Sequence, residues 1–209
     1  MQAHAKNGLD LLEARLRQDL SWLELPSKPW MIKKSHEGKP VIEVVIIGAG
    51  MAGLTAGTAL SLLGIHPVLF DRAPEGYEGP WVTTARMETL RSPKQLTGPA
   101  LGLPALTFRA WFEAQFGEQA WIDLDKIPRT QWMEYLRWYR KITRLEIRNE
   151  HLVLEVNPRE DQLVELLVQH PKGIEKILAR RVVIASGRDG LGGPSLPDFA
   201  NKVPSQLRA

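Results

Sequence analysis

A short apolar run that leads directly into a cluster of glycines constrains this chain more than any other feature of its sequence. The run Val41 to Ile47 is rich in β-branched residues and contains one charged residue, which is typical of a buried parallel strand. The next six residues read GAGMAG and place glycines at Gly48, Gly50 and Gly53. Glycines at this spacing between a strand and a helix form the fingerprint of a dinucleotide-binding turn.

Each of the three glycines has a distinct expected role in such a turn. Gly48 permits the tight turn, Gly50 lets the backbone approach a pyrophosphate, and Gly53 lets the following helix pack closely against the strand. That helix is expected to begin near Met51, so the backbone N–H groups of Met51 and Ala52 lie at its positive end, where phosphates bind. The alternative is that these are ordinary turn glycines without a ligand.

An acidic residue follows the second predicted strand, as a dinucleotide site requires. Ile65 to Phe70 is expected to be that strand, with Pro67 near its first residue, and Asp71 stands at its end, 23 residues after Gly48. A carboxylate there accepts hydrogen bonds from ribose hydroxyls and repels a 2′-phosphate, so the expected ligand is an unphosphorylated adenosine, as in FAD or NAD. Arg72 is a further candidate cofactor contact. The alternative makes Asp71 a surface acid.

The first part of the chain is expected to be an extension of the main domain. Residues 1–40 are predicted to contain an amphipathic helix, from Leu9 to Leu25, and a polar linker. The leucines of this helix could dock on their own domain or on a second subunit, which leaves a homo-oligomer open.

Residues 41–209 are expected to form one dinucleotide-binding domain, with a helical insertion at about 73–143. The insertion is predicted to contain a long loop and two aromatic helices, capped by Thr107 and Thr130, whose aromatic residues belong to a core rather than to a stacking platform for nucleic acid. β-type sequence from 145 to 185 follows the insertion.

Composition narrows the class of protein without identifying it. The 209 residues include no cysteine, which excludes disulfides and thiolate metal sites within this sequence, and the five histidines are scattered without metal-ligand spacing. The net charge of +3 comes from dispersed residues, which does not favour a nucleic-acid-binding face. No apolar run approaches the ~18–20 residues of a membrane helix and no signal peptide is evident, so a cytoplasmic protein is expected.

The end of the β-type sequence favours FAD over NAD. Residues 181–187 read RVVIASG, an apolar strand that runs into Ala185, Ser186 and Gly187. This segment resembles the A-T-G motif of flavoproteins of the glutathione-reductase type, in which a β-meander precedes it, and residues 145–178 have that character. Leu152, within the meander, is a further candidate cofactor contact. An NAD dehydrogenase is expected to continue a regular strand–helix alternation instead, and a generic buried strand is the alternative.

Further motifs resemble the class B flavoprotein monooxygenases, which include flavin-containing monooxygenases, Baeyer–Villiger enzymes and ornithine or lysine N-hydroxylases. Gly79-Pro80-Trp81 resembles their G-G-x-W segment beside the flavin, and Trp81 with Met87 resembles the W…M segment of the N-hydroxylases. Residues 128–138 resemble their P-x-R-x-x-F-x-x-Y-L-x-W helix, and residues 187–197 the stretch after their A-T-G. The resemblance implies an α/β, Rossmann-like FAD-binding domain with a parallel sheet, a β-meander and the helical insertion.

The resemblance also implies a function. In this family NADPH reduces FAD, the reduced flavin forms a C4a-peroxyflavin with O₂, and one oxygen atom passes to a small-molecule substrate. FAD and, in the complete enzyme, NADPH are therefore the expected cofactors; because the cofactor carries the chemistry, no catalytic residue is assigned. An FAD-dependent dehydrogenase or oxidase is one alternative, and a truncated, non-catalytic nucleotide-binding remnant is the other.

Three departures from the family pattern affect this expectation. The sequence contains no second glycine turn for NADPH, and the F-x-G-x-x-x-H fingerprint expected near Phe199 reads FANKVP. The N-hydroxylases carry a substrate-binding lysine near the W…M segment, whereas Lys94 lies close but out of register and is not assigned as a ligand. The chain is therefore expected to be the front half of a longer enzyme and inactive alone.

Overall fold

The computed structural model describes residues 2–187, 190, 199 and 202–204, which form a seven-stranded sheet and a group of helices. None of these helices combines the length and the apolarity needed to cross a bilayer. The α-helices are α1 Gln2–Trp22, α2 Met51–Leu62, α3 Phe108–Phe116, α4 Glu118–Asp123 and α5 Arg129–Thr143, and a 3-10 turn spans Pro104–Leu106. The strands are β1 Lys34–His36, β2 Lys39–Ile47, β3 Pro67–Phe70, β4 Glu146–Arg148, β5 Leu152–Pro158, β6 Val164–His170 and β7 Gly173–Ile184.

The sheet is parallel on one side and antiparallel on the other, with strand order β4-β3-β2-β7-β6-β5. Val45 of β2 lies opposite Val68 of β3 on one side and Val182 of β7 on the other, and all three strands are parallel. β5, β6 and the first half of β7 form the antiparallel meander. The predicted α/β, Rossmann-like fold with a meander is therefore confirmed.

β7 joins the two halves of the sheet. Ala179 pairs with Ile42 of β2 on one side and with Val164 of β6 on the other. The residues of β7 before Ala179 pair with β6, and those after it pair with β2. Beyond Ala179, no strand among the described residues pairs with the other side of β7, so this length of backbone forms an open edge.

Burial explains why β2 and β3 read as continuous apolar runs. Val45, Ile46 and Leu69 are fully buried although neighbouring side chains of a strand point to opposite faces. A strand covered on both faces needs apolar residues at every position. Pro67 is the first residue of β3, as its missing N–H predicts.

The helical insertion has its own aromatic core, which joins α3, α4 and α5. Phe108, Trp111, Trp132 and Tyr135 are all buried, so the aromatic residues pack inside the protein and do not form an exposed platform. The predicted cap at Thr107 is confirmed, since its hydroxyl accepts a hydrogen bond from the N–H of Ala110 at 3.2 Å.

One detail of the insertion differs from the prediction, and one helix was not predicted. Gly117 ends α3 as its C-cap, and the unpredicted short helix α4 begins directly after it. Thr130 does not cap α5, because the helix begins at Arg129 and Pro128 occupies the N-cap position. Proline is well suited to a helix start, where its missing N–H costs no hydrogen bond.

The N-terminal helix docks on its own domain. Leu16 is buried in the aromatic core, and Glu13 accepts a hydrogen bond from the Trp138 indole at 3.2 Å. Gly8 lies so close to α3 that a Cβ placed on it would be 1.7 Å from the carbonyl oxygen of Ala114. The leucine-bearing face of α1 is therefore occupied by the same chain.

The predicted linker before β2 is wrong in part, because it contains a hairpin. β1 pairs antiparallel with β2, which begins at Lys39, and His36 lies opposite Lys39. The two turn residues, Glu37 and Gly38, have φ of 50° and 76°, as in the type I′ turns that suit two-residue hairpins. The exposed, polar β1 has no hydrophobic alternation from which it could have been predicted.

Candidate functional site

The glycine turn between β2 and α2 has no room for side chains at two of its three glycines. Gly48 has φ of 104°, and a Cβ there would lie 2.4 Å from the carbonyl oxygen of Ala185. A Cβ on Gly53 would lie 1.9 Å from the carbonyl oxygen of Gly48. These contacts agree with the predicted roles of Gly48 in the tight turn and Gly53 in close helix packing.

Gly50 differs from the other two glycines, because nothing in the described part of the chain excludes a side chain there. A Cβ on Gly50 would make an ordinary contact, 3.6 Å from the Cα of Gly79. Met51 and Ala52, which begin α2, are exposed, and the first N–H groups of a helix have no acceptor within it. The free N–H groups and the bare backbone at Gly50 fit an anion such as a pyrophosphate.

Asp71 connects the end of β3 to the glycine turn. Its Oδ2 accepts a hydrogen bond from the N–H of Ala49 at 2.7 Å, and its Oδ1 accepts one from the N–H of Ala73 at 2.8 Å. The residue is 8% exposed. Each carboxylate oxygen has a second lone pair, so Asp71 can still accept hydrogen bonds from a ribose. The sequence indicated the ligand role but not this structural one.

The loop after Asp71 is held by a buried carboxylate that the sequence did not reveal. Glu78 is 4% exposed and forms an ion pair with Arg140 of α5. It also accepts hydrogen bonds from the N–H of Gly76 at 2.9 Å and from the side-chain amide of Asn149 at 2.7 Å. The same amide donates to the carbonyl of Ala73 at 3.0 Å. Glu78 thereby fixes the loop to α5 and to the connection between β4 and β5.

The Gly79–Trp81 segment lies beside the glycine turn and is attached to the start of α5. Arg129 donates a hydrogen bond to the carbonyl of Trp81 at 2.5 Å, and the Trp81 ring meets the buried Trp132 ring edge-on at a centroid distance of 6.1 Å. A Cβ placed on Gly79 would lie 3.7 Å from the Cα of Gly50, so this part of the loop passes beside the glycine turn.

Met87 lies on the next part of this loop, where the chain runs alongside the residues that lead into α5. The N–H of Leu90 donates to the carbonyl of Ile127 at 2.8 Å, and the N–H of Arg129 donates to the carbonyl of Glu88 at 3.0 Å. Met87 is half-buried. Backbone pairing therefore holds this segment in place although it contains no regular strand.

The end of β7 meets the same turn from the other side. The N–H of Ala185 donates to the carbonyl of Ile47 at 2.8 Å, and the carbonyl of Ala185 faces Gly48. Ser186 and Gly187 follow, the latter with φ of 75°. The motif segment predicted beyond Gly187 lies largely outside the described residues.

Two further predicted contacts flank Asp71. Arg72 is exposed directly after it. The N–H of His151 donates to the Asp71 carbonyl at 2.9 Å, which places the partly exposed Leu152 next to this point. All the predicted site residues therefore lie on segments that border the glycine turn, the end of β3 or the Gly79–Trp81 loop.

Lys94 has a structural position. Its ammonium group donates to three carbonyls at the end of α4, those of Trp121 at 2.8 Å, Ile122 at 3.0 Å and Leu124 at 2.6 Å. An ammonium group has three protons to donate, and all three are used. This agrees with leaving Lys94 out of the candidate ligands.

Burial disfavours the ionised form of two tyrosines on α5. Burial raises the pKa of Tyr139 to about 12, and the neighbouring Thr58 side chain opposes part of the rise. Burial also raises the pKa of Tyr135, whose hydroxyl donates to the carbonyl of Leu106 at 2.6 Å. Both residues serve packing on α5, and neither is suited to accept a proton at neutral pH.

Comparison with known proteins agrees with this geometry. A family model described as FAD-NAD(P)-binding matches residues 45–189. The FAD-dependent urate hydroxylase of Xanthomonas campestris pv. campestris is 44% identical over 204 residues, which are 97% of this chain and 43% of that protein. The chain therefore spans less than half the length of this curated relative.

Solved structures share the fold at low sequence identity. Ornithine hydroxylase from Pseudomonas aeruginosa has a TM-score of 0.62 at 17% identity, over 75% of this chain and 40% of that one. Bacillithiol disulfide reductase from Bacillus cereus has a TM-score of 0.56 at 20% identity, over 80% of this chain and 44% of that one. A hydroxylase and a reductase share this architecture, so the fold alone does not choose a reaction.

Proposed function

Because this chain belongs to the FAD-NAD(P)-binding family, we propose that it binds FAD across the glycine turn and is the flavin-binding part of an NADPH-dependent monooxygenase. The observation that carries the proposal is the hydrogen bond from the N–H of Ala49 to the Asp71 carboxylate. It supports the inference that this carboxylate binds the ribose while the adjoining turn receives the pyrophosphate. Domain organisation follows the same proposal: residues 41–209 are the cofactor domain and residues 1–40 its extension.

The residues present fit the adenosine and pyrophosphate parts of FAD. Gly50, Met51 and Ala52 would hold the pyrophosphate through backbone N–H groups at the positive end of α2. Asp71 would hold the ribose, and its negative charge favours an adenosine without a 2′-phosphate. Arg72 directly follows Asp71, and Leu152 follows His151, whose N–H donates to the Asp71 carbonyl; both would contact the adenosine half.

The remaining predicted residues would surround the flavin half. Trp81 and Met87 lie on the loop that passes the glycine turn at Gly79, and Ala185, Ser186 and Gly187 lie at the end of β7. When bound, the flavin supplies the reaction with NADPH and O₂. The chain's own contribution is to bind and orient the cofactor and to keep water from one side of it.

An oxopurine is the substrate class that we assign to the complete protein. The support is the 44% identity to a urate hydroxylase over nearly the whole of this chain, whereas the N-hydroxylating structures are similar in fold alone. The use of all three Lys94 protons by α4 also leaves no free ammonium at that position for an amino-acid substrate. We place this activity in the cytoplasm.

A binding titration of the purified chain tests the proposal. When FAD binds, its fluorescence or that of nearby tryptophans should be quenched. ADP should compete with FAD for the site. FMN, which lacks the adenosine, should bind at least about tenfold more weakly. Preference for NAD over FAD would make the chain a dehydrogenase domain. Absence of binding by FAD, ADP and NAD alike would contradict the proposal.

The open edge of β7 favours one alternative for the chain on its own, a nucleotide-binding unit without turnover. Beyond Ala179 only β2 covers β7 among the described residues, and an incomplete pocket admits water. We expect no steady NADPH-dependent oxygenation by the chain with added FAD.

A longer protein that contains the chain should consume NADPH with urate and form hydroxylated product. NADPH consumption that yields only hydrogen peroxide would favour an oxidase instead.

A further inference from the structure

Helix α1 carries a second stripe on the face opposite its docked leucines. We call this the outer stripe; it comprises Leu11, Ala14, Arg15, Gln18, Asp19 and Trp22. Steps of three and four residues place all six on one face of a helix. The docked face, in contrast, is formed by Leu9, Leu12, Leu16 and Leu20, which pack into the aromatic core.

The two ends of the outer stripe are large apolar side chains with no cover. Leu11 is 65% exposed and Trp22 is 72% exposed. Exposed aromatic and aliphatic side chains that line up on one surface mark contact sites more often than isolated ones do. Between them lies the small side chain of Ala14, which allows another helix to approach closely.

The charges of the outer stripe are opposite in sign and separated along the helix. Arg15 and Asp19 are four residues apart, yet neither is part of an ion pair or a side-chain hydrogen bond in the described part of the chain. Two other charged side chains of α1, Glu13 and Arg17, are already engaged, since Glu13 lies between Arg17 and the Trp138 indole. Arg15 and Asp19 are therefore available for a partner.

This pattern is complementary to itself. In an antiparallel pair related by a two-fold axis near the middle of the stripe, Leu11 of one copy faces Trp22 of the other. Arg15 then lies within about one residue, or about 1.5 Å along the axis, of the position of Asp19 in the other copy. A two-fold axis repeats each of these contacts, so both ends bury apolar surface and both charges find a partner.

We propose that the outer stripe is the contact surface of a homodimer, in which the α1 helices of two copies pack antiparallel. The proposal does not depend on FAD binding, because the stripe lies on the extension and not at the glycine turn. It also gives the two faces of α1 different roles. The leucine face joins the helix to its own domain, and the outer stripe joins two copies.

Sedimentation equilibrium of the purified chain at several concentrations tests the proposal. We expect a dimer of twice 23.5 kDa. Arg15→Asp should raise the dissociation constant at least about tenfold, because two aspartates then face each other in both contacts. Asp19→Arg should weaken the dimer similarly, and the double variant Arg15→Asp/Asp19→Arg should restore it. Arg144→Asp, on an exposed residue at the end of α5, is the matched control.

The outcomes are distinguishable from simple loss of fold. Circular dichroism should be unchanged in all four variants, since Arg15, Asp19 and Arg144 make no contacts that hold the domain together. A monomer at all concentrations would overturn the proposal, as would a dimer that ignores Arg15→Asp or is not restored by the charge swap. A longer protein that is monomeric, with Trp22 buried by its own later segment, would overturn it as well.

Discussion

Asp71 and Ala49 are joined by a buried hydrogen bond, with 2.7 Å between the carboxylate Oδ2 and the backbone nitrogen. The bond connects the end of β3 to the middle of the glycine turn, which are 22 residues apart in sequence. This side chain therefore fixes the shape of the turn, and under the proposed function its remaining lone pairs also accept hydrogen bonds from a ribose.

Replacing Asp71 should weaken both the cofactor site and the fold. Asp71→Ala leaves the Ala49 N–H without its acceptor and removes the ribose ligand, so we expect FAD binding to weaken by about 1–3 kcal/mol and unfolding free energy to fall by a similar amount. FAD titration and urea unfolding measure the two effects. Asp125→Ala, at an exposed loop position, is the control; equal FAD affinity in both variants would contradict the assignment.

Glu78 should control FAD affinity without touching the cofactor. Glu78→Ala leaves the half-buried Arg140 with only the exposed Glu75 and the Asn149 side chain as partners, so the loss of stability should stay below the about 3–5 kcal/mol of a fully buried ion pair. The loop that carries Gly79 and Trp81 should then loosen and FAD affinity should fall.

A double-mutant cycle separates this effect from general damage. Glu78→Ala/Arg140→Ala should cost less than the two single changes added together, because neither charge is left alone. Glu75→Ala is the matched control, since Glu75 lies 3.7 Å from Arg140 but its side chain is 78% exposed. Strict additivity, or an equal effect of Glu75→Ala, would show that the buried pair does not position the loop.

Tyr139 should make the fold sensitive to alkaline pH. Its pKa is raised by burial to about 12 in the folded protein from 10.0, so the folded state disfavours the ionised form. Its contribution to stability is complete below pH 10 and is lost as pH rises toward the folded pKa, at about 1.4 kcal/mol per pH unit. Urea unfolding at pH 8 and pH 11 measures how much unfolding free energy is lost between the two. The loss should be about 1.4 kcal/mol smaller for Tyr139→Phe than for the unchanged chain. Identical losses in the two proteins would refute the role of Tyr139.

Lys94 should affect stability alone. Lys94→Ala removes three hydrogen bonds from the end of α4, and we expect a loss of about 1–3 kcal/mol in unfolding free energy with FAD affinity unchanged. Lys126→Ala, at an exposed position, should change neither quantity. A fall in cofactor or substrate affinity at unchanged stability would place Lys94 in the binding site instead.

The features predicted correctly from the sequence are those with a local pattern. Any dinucleotide turn must adopt one backbone geometry, and that geometry fixes a spacing that can be read from the sequence. Here Gly48, Gly50 and Gly53 follow one apolar run, and Asp71 follows the next. The parallel strands could be predicted because burial on both faces requires apolar residues throughout.

The features that the sequence did not reveal depend on long-range contacts or on exposed segments. Glu78 meets Arg140 62 residues later, and nothing in its Gly- and Pro-rich surroundings distinguishes a buried glutamate from an exposed one. β1 is an exposed edge strand with three polar residues, so no hydrophobic alternation marks it. The role of Lys94 follows from the position of α4, which itself lacks a strong pattern.

Backbone amide shifts recorded by ¹⁵N NMR during FAD titration of the ¹⁵N-labelled chain test most directly whether FAD lies across the glycine turn. The N–H groups of Gly50, Met51 and Ala52 should shift most, together with the Trp81 indole N–H, and saturation should follow the same binding curve for all four. ADP should shift the N–H groups of Gly50, Met51 and Ala52 but not the Trp81 indole. That difference would assign the glycine turn to the ADP half of FAD and Trp81 to the flavin half. Unmoved glycine-turn amides at saturating FAD, with the largest changes elsewhere in the chain, would contradict the assignment.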